Sequence, residues 1–278
     1  MISEYLKQIT IPQIMGILNL TEDSFSDGGY YLSQSAAIAQ AEKLIAQGAD
    51  IIDIGAESTR PGAHEISADL EWRRIHPVLK YLKSSYPQIP ISIDTQKATV
   101  AAKAIEYGAD IINDVSALRF DPEMGHTLAG ANHVKLVLMH MQGRPQTMQQ
   151  NPQYNDILSE LIHFLNERIE YATNCGITKD RLIVDPGIGF GKNLEHNLKL
   201  LANLDELKVF AIPILLGASR KQFINNIHEA AVQNRLGGTL AATAIACLSS
   251  VQIIRVHDVF EHAQFLKVLY AIAQTGVS

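Results

Sequence analysis

Cysteine is nearly absent from this 278-residue chain: Cys175 and Cys247 are the only two, and neither belongs to a paired motif. A fold stapled by disulfides is excluded, and both residues read as reduced, partly buried thiols. A zinc centre has no support either, because the ten histidines are scattered without a His-x-x-x-His pair. Excess positive charge is missing too. With 23 Lys and Arg against 29 Asp and Glu, the formal net charge of −6 gives no basic stripe for nucleic acid. No apolar run reaches the ~20 residues of a membrane span. The longest candidate, 240–254, contains Ser249, Ser250 and Gln252 and is followed by Arg255, so it reads as a buried helix running into a buried strand. The first ten residues mix Glu4, Lys7 and Gln8 with single apolar residues, unlike a secretory signal. These absences lead to an expectation of a soluble, cytoplasmic protein with no membrane or nucleic-acid partner. No serine or cysteine stands with a matched base, which disfavours covalent catalysis.

What the sequence does contain is alternation. Short apolar runs at 14–18, 51–54, 91–93, 111–112, 136–139, 182–184, 214–216 and 253–256 are rich in β-branched residues and show no polar alternation. Strands buried on both faces of a parallel sheet have this character. Helical patterns lie between them, at 36–47, 99–107, 157–174 and 241–248. An internal echo reinforces the repeat: Gly48-Ala49-Asp50-Ile51-Ile52-Asp53 returns as Gly108-Ala109-Asp110-Ile111-Ile112-Asn113. In both copies Gly ends a helix and Asp begins the turn into the next strand. About eight strands in a chain near the ~250 residues usual for the fold predict an α/β single-domain TIM (β/α)8 barrel over 1–278. An open, doubly wound sheet is the alternative, since periodicity does not show closure.

The chemistry stands immediately after each apolar run. Asn19 follows the first, Asp53 and Glu57-Ser58-Thr59-Arg60 the second, and Asp94 ends the third. Asn113 and Asp114, His140 and Asp185 follow the next three. Gly217-Ala218-Ser219-Arg220-Lys221 and Arg255-Val256-His257-Asp258 close the series. In a closed barrel these positions ring one mouth, where active sites of that fold are built. A single Asp or Asn in such a place is as readily a helix cap, and for Asp53, Asp114 and Asp258 capping is at least an even alternative. A polar group at every strand end points to an enzyme.

Arg60, Arg220, Lys221, Arg255 and His257 suit an anionic group such as phosphate. Asp94, Asn113 and Asp185 offer acceptors and amide donors, and an ionised carboxylate accepts paired N–H bonds from an amino-pyrimidinone edge. Together they point to a phosphorylated pterin or purine. Gly187-Ile188-Gly189-Phe190-Gly191-Lys192 lacks the spacing of either a P-loop or a dinucleotide fingerprint. It reads instead as a tight turn whose glycines let backbone approach a flat ligand held by Asp185. The Gly217–Lys221 segment precedes a helix, so its N–H groups are candidates to hold a carboxylate. Any metal is expected to be a hard cation such as Mg2+, with Asn19 as its protein ligand.

These residues fall into an ordered series that resembles the dihydropteroate synthases. Met15 to Thr21 leading into Asp23-Ser24-Phe25-Ser26-Asp27-Gly28-Gly29 is similar to the family's first signature, and Asp53 to Gly62 to its second. Ser92 to Thr95, Ile112 to Asp114, Met139 to Gly143, Asp185 to Gly191, Ser219 to Lys221 and Arg255 to Asp258 follow in the family's order. The resemblance implies a pterin site of Asp94, Asn113, Met139, Asp185, Phe190, Gly217 and Lys221. It implies a pyrophosphate site of Asn19, Thr59, Arg60, Arg255 and His257, with Mg2+ on Asn19. Phe25, Thr59, Arg60, Pro61 and Ser219 would border p-aminobenzoate, where sulfonamides compete in this family. Asp94, Lys221, Arg255 and His257 are the implied catalytic groups, and a homodimer is the implied assembly.

The implied reaction joins 6-hydroxymethyl-7,8-dihydropterin pyrophosphate to p-aminobenzoate. The family path is dissociative; the residues alone equally allow direct displacement. Glu22 stands where the family commonly has Pro, freeing φ and adding negative charge near the pyrophosphate site. Ala56 replaces a common Gly. The long connections 20–33 and 57–69 read as lids over the mouth, mobile without ligand. Two rivals are an inactive pterin-binding paralogue and a methyltetrahydrofolate–corrinoid methyltransferase barrel. The second has no need of the Ser-Thr-Arg-Pro-Gly or Ser-Arg-Lys segments.

Overall fold

The computed structural model of the chain describes residues 9–20, 29–58 and 64–275. Eight strands run β1 (Gln13–Asn19), β2 (Ile51–Gly55), β3 (Ile91–Asp94), β4 (Ile111–Asp114), β5 (Lys135–Met139), β6 (Leu182–Asp185), β7 (Leu215–Leu216) and β8 (Ile253–Val256). Between and after them lie α1 (Gly29–Ala46), α2 (Ala68–Ser85), α3 (Ala98–Glu106), α4 (Met124–Ala129), α5 (Ile157–Asn174), α6 (Leu194–Ala202), α7 (Gln222–Ile227), α8 (Leu236–Leu248) and α9 (Val259–Thr275). Every pairing is parallel, in the order β6-β5-β4-β3-β2-β1-β8-β7. A bridge between Val184 and Ile214, with the Val184 N–H donating to the Pro213 carbonyl at 2.9 Å, joins the two ends. The sheet therefore closes on itself as a (β/α)8 barrel rather than lying open.

Alternation along each strand sends one residue in two to the helices and the other into the barrel. Ile52, Ile54, Ile112, Leu136, Leu138, Val184, Leu216 and Ile254 face outward and join the large core shared with the helices. Met15, Ile51, Ile111, Val137, Ile183, Leu215 and Ile253 face inward and form a separate apolar layer across the barrel interior. Two places further along, Asp53, Asn113, Asp185 and Arg255 carry polar groups on four of those strands. One inward register thus holds both the barrel's base and its mouth.

The repeated Gly-Ala-Asp segment proves to be a register device. Gly48 and Gly108 have φ of 102° and 91°, which ends the preceding helix. Asp50 Oδ2 accepts the Ile14 N–H, and Asp110 Oδ2 accepts the Ile91 N–H, each at 2.7 Å. Each aspartate clamps the start of the neighbouring strand, a cross-strand role beyond the turn expected of it.

Helix boundaries depart from the expected ones at two places. Helix α1 begins at Gly29 rather than 36, and α8 begins at Leu236 rather than 241, in spite of Gly237 and Gly238. A Cβ on Gly238 would sit 2.4 Å from Ile224 Cγ2, so this glycine is what lets α8 pack against α7. The α8 segment is also less buried than expected: Ile245 and Leu248 are exposed. Among the described residues no helix is long and apolar enough to cross a membrane. Cys247 is buried, Cys175 is partly buried, and both are unpaired.

Candidate active site

At the mouth, the inward register brings together side chains far apart in sequence. Arg255 Nε donates to Asp53 Oδ2 at 2.6 Å and its Nη2 donates to Asp94 Oδ2 at 2.9 Å. Asn113 Nδ2 donates weakly to the same Asp53 oxygen at 3.4 Å. Gly55 pairs in register with Asp94, and a Cβ there would lie 3.4 Å from Asp94 Cβ; the glycine makes room for the carboxylate. Asp53 is fully buried, whereas Asp94 and Arg255 keep 13% and 21% of their side-chain surface exposed. Asp53 Oδ1 and the adjacent Ser92 Oγ are buried with no hydrogen-bond partner.

The cluster's charges respond to this burial. Burial pushes the Asp94 carboxyl from its ordinary 3.8 up to about 7, against the pull of Arg255 and with the repulsion of Asp53. Burial also opposes the Arg255 charge, but Asp53 and Asp94 together outweigh it and hold its proton more tightly than usual.

Opposite this triad stand Asp185 and Lys221. Asp185 Oδ1 accepts the Gly187 N–H at 2.7 Å, while Lys221 Nζ donates to the Ile188 carbonyl and sits 4.5 Å from the centre of the Phe190 ring. A Cβ built on Gly217 would lie 3.8 Å from Asp185 Oδ2 and 3.9 Å from Lys221 Nζ. The carboxylate and the amine thus converge over a residue without a side chain. Among the described residues no ion pair joins the two. Burial raises the Asp185 carboxyl, offset in part by Lys221, and lowers the Lys221 amine from 10.5 to about 8. Met139 and Phe190 belong to one apolar cluster beside them, completed by Val115, Met141, Met148 and Phe120. Nothing in the sequence marked Val115, Met141 and Met148 as neighbours of Met139, because an apolar residue type carries no sign of what it packs against.

At the remaining side of the mouth, Ser219 Oγ accepts the His257 N–H at 3.2 Å and lies 2.9 Å from His257 Nδ1. Asn19 ends β1 on the inward register, half-buried. Phe25, Thr59, Arg60 and Pro61, together with Glu22 and the stretches 21–28 and 59–63 of the two expected lids, lie outside the described residues.

Several members of the predicted ring do not face the mouth. Asp114 turns outward and accepts the N–H groups of Ser116 and Leu118 at 2.8 and 2.7 Å, so it is a turn-former. Arg220 is bound to Asp258, which neutralises it as a free cation. His140 is also outward, against Lys192 and the edge of Phe164. Two N–H groups of the Gly217–Lys221 segment are already used within the fold: the Arg220 N–H donates to Thr239 Oγ1 and the Lys221 N–H to the Ala218 carbonyl. Asp53, read from the sequence as a possible cap, is instead the deepest partner of Arg255. Its even spacing from Ile51 was the available signal. Among the described residues no group of three His, Cys, Asp or Glu side chains forms a metal cage.

The fold and this mouth define a barrel enzyme with buried carboxylates, a guanidinium and an amine gathered at the C-terminal ends of its strands. The sequence from residue 15 to 257 matches the family described as pterin binding enzyme. The dihydropteroate synthase of Escherichia coli K12 is 44% identical over 261 residues, covering 94% of this chain and 91% of its own. A crystal structure of the Yersinia pestis dihydropteroate synthase with a sulfonamide drug superposes with a TM-score of 0.89 at 42% identity, covering 95% and 94% of the two chains. The Xanthomonas albilineans enzyme in complex with 7,8-dihydropteroate gives 0.84 at 39%, covering 94% and 93%. The chain belongs to the dihydropteroate synthases, a family of pterin-binding transferases.

Proposed function

We propose that this chain joins 6-hydroxymethyl-7,8-dihydropterin pyrophosphate to p-aminobenzoate, giving 7,8-dihydropteroate and pyrophosphate, with the mouth residues in the following roles. The observation that carries the reading is the convergence of Asp185 and Lys221 over Gly217. A carboxylate and an ammonium left apart in a buried corner match the amino and oxo groups of one pterin edge. Asp185 accepts the paired N–H groups, Lys221 donates to the ring's oxo oxygen, and Asn113 takes a further ring nitrogen. Met139 and Phe190 line the two faces. A glycine at 217 is needed because the ring must pass where a side chain would stand.

Arg255, His257 and Asn19 receive the pyrophosphate, joined by Thr59 and Arg60. The departing group takes the electron pair of its C–O bond, and the guanidinium and imidazole meet the charge it gains. The bridged triad of two carboxylates and one guanidinium is net negative when both carboxylates are ionised. Asp94, the more exposed of the two carboxylates, therefore favours a delocalised pterin-methyl cation and a dissociative path. The lone pair of the p-aminobenzoate nitrogen then forms the new C–N bond, and its proton leaves to water. Phe25, Thr59, Arg60, Pro61 and Ser219 border that amine's site, where a sulfonamide competes. The donor set fits Mg2+: one hard amide oxygen on Asn19 suits a cation that prefers phosphate oxygens and water for its other ligands. When bound, it supplies charge neutralisation to the pyrophosphate.

The chain acts in the cytoplasm as a single barrel domain and as a homodimer. Leu198, Ile227, Ile245 and Leu248 are exposed apolar residues on α6, α7 and α8, and they suit a second copy. Dihydropteroate formation from the two substrates, with and without Mg2+, tests the reaction. Folded protein that binds the pterin but forms no product would establish an inactive paralogue instead, with Glu22 the first residue to revert.

A further inference from the structure

Lys192 is 3% exposed and takes no part in the chemistry above. Its Nζ lies 2.8 Å from His140 Nδ1, 2.9 Å from the Gly187 carbonyl, 3.0 Å from the Phe190 carbonyl and 3.3 Å from the His140 carbonyl. Among the described residues no carboxylate forms an ion pair with it, so an amine has been buried among neutral oxygens and one imidazole. Such burial is costly unless every donor is used. Here it is used in either protonation state. An ammonium donates to both loop carbonyls and to His140 Nδ1, whereas a neutral amine donates to the carbonyls and accepts from Nδ1–H. Burial lowers both groups well below their ordinary range, with the Lys192 charge lowering His140 further and the Lys221 charge lowering Lys192 further.

The loop it holds is the one that faces the pterin corner. Residues 187–191 turn through positive φ at Gly187, Gly189 and Gly191, at 64°, 81° and 64°. A Cβ on Gly187 would fall 1.9 Å from the His140 carbonyl. Each of the five carbonyls is met by a side-chain donor. Lys192 takes those of Gly187 and Phe190, Lys221 that of Ile188, Gln149 that of Gly189, and Tyr154 Oη that of Gly191 at 2.8 Å. Lys192 takes two of them, and its Nζ also reaches back to the ring nitrogen and carbonyl of His140 just after β5. The Ile188 carbonyl and the Phe190 ring, which flank Lys221, therefore stand where Lys192 puts them.

We propose that Lys192 is a positioning residue for pterin recognition: a buried amine that ties the 187–191 loop to His140, and through that loop sets Phe190 and Lys221 against the ring. This rests on the reading of the Asp185–Lys221 corner as the pterin site. The test is Lys192→Met, which keeps an unbranched chain and removes the donors. The expected result is a rise of about tenfold or more in KM for the pterin pyrophosphate, less than threefold in KM for p-aminobenzoate, and faster amide hydrogen exchange across 187–191 in the ligand-free protein. Tyr154→Phe removes one loop bond and should shift the same pterin KM by a few-fold. It decides the matter if Lys192→Met fails to fold. Unchanged pterin KM, or equal changes for both substrates, in the variant that folds would overturn the proposal, as would unchanged loop exchange. Because exchange is read without substrate, it separates this failure from that of the functional reading, which shows as wild-type protein forming no product.

Discussion

The two layers of the barrel interior are built on the same strands, point the same way and lie two residues apart, yet they obey opposite rules. The base layer of Met15, Ile51, Ile111, Val137, Ile183, Leu215 and Ile253 is apolar and nearly dry. The layer above it places Asp53, Asn113, Asp185 and Arg255 on four of those strands, with buried charge and unmatched acceptors at Asp53 Oδ1 and Ser92 Oγ. The first gains free energy from each group it hides. The second spends some of it to keep charges poised for a ligand. Stability and function have been divided by height along the barrel axis.

Mutations that cross this division should show the largest effects. Arg255→Ala leaves Asp53 buried and unpaired, so it should cost about 3–5 kcal/mol in denaturant unfolding. It should weaken pyrophosphate capture more than pterin binding. If unfolding is unaffected, Asp53 does not depend on Arg255 and the two layers differ less than argued. A sharper comparison is the pair Ile183→Ala and Asp185→Ala on β6. The first should lose about 2–5 kcal/mol of stability, as large-to-small core changes do, with little change in turnover. The second, like Lys221→Ala, should lower kcat/KM about a hundredfold or more while the melting temperature holds, since a charge-assisted bond contributes about 1.5–3 kcal/mol. A reversed pattern would break the comparison.

A smaller effect is expected in pH dependence. The roles proposed for the two groups require Asp94 ionised and Lys221 protonated. The free enzyme's kcat/KM should therefore fall below about 7 and above about 8, a narrow bell. Asp94→Asn should flatten the acid limb. Stability has the opposite sign. A folded-state pKa above the ordinary 3.8 means the native state binds more protons between about 4 and 7, so this group's contribution declines as pH rises through that window. Melting curves of Asp94→Asn should lack that decline. Smallest of all, Asp50→Asn replaces the carboxylate that clamps Ile14 by an amide that still accepts. It should cost on the order of 1 kcal/mol with kcat unchanged, and a large loss of activity would mean that the base clamp also shapes the mouth.

Much of this was legible because the barrel writes its register into the sequence. All eight strands fall where the apolar runs predict, because strands buried on both faces admit little but Ile, Leu and Val. Asp94, Asn113, Asp185, Lys221 and Arg255 were legible as groups of the mouth because each lies at or just beyond the end of a strand. His140, Asp114 and Arg220 were misplaced on the ring by the same rule, since position after a strand does not reveal which way a side chain turns. Lys192 was visible only as the end of a glycine-rich motif. Its partners, the carbonyls of residues 187 and 190 and the ring of His140, leave no mark in the sequence.

The sequence by itself determined the alternation of strand and helix, the identity of the groups at the mouth and the family to which the chain belongs. These are set by local periodicity and by residue type at fixed spacing. Only the tertiary structure decided that Asp53 sits beneath Arg255, that Asp185 and Lys221 face each other across Gly217 unpaired, and that Lys192 anchors the loop between them. The first depends on β1 pairing with both β2 and β8, which brings Asp53 and Arg255 within 2.6 Å across 202 residues of chain, and the second on the closure between β6 and β7.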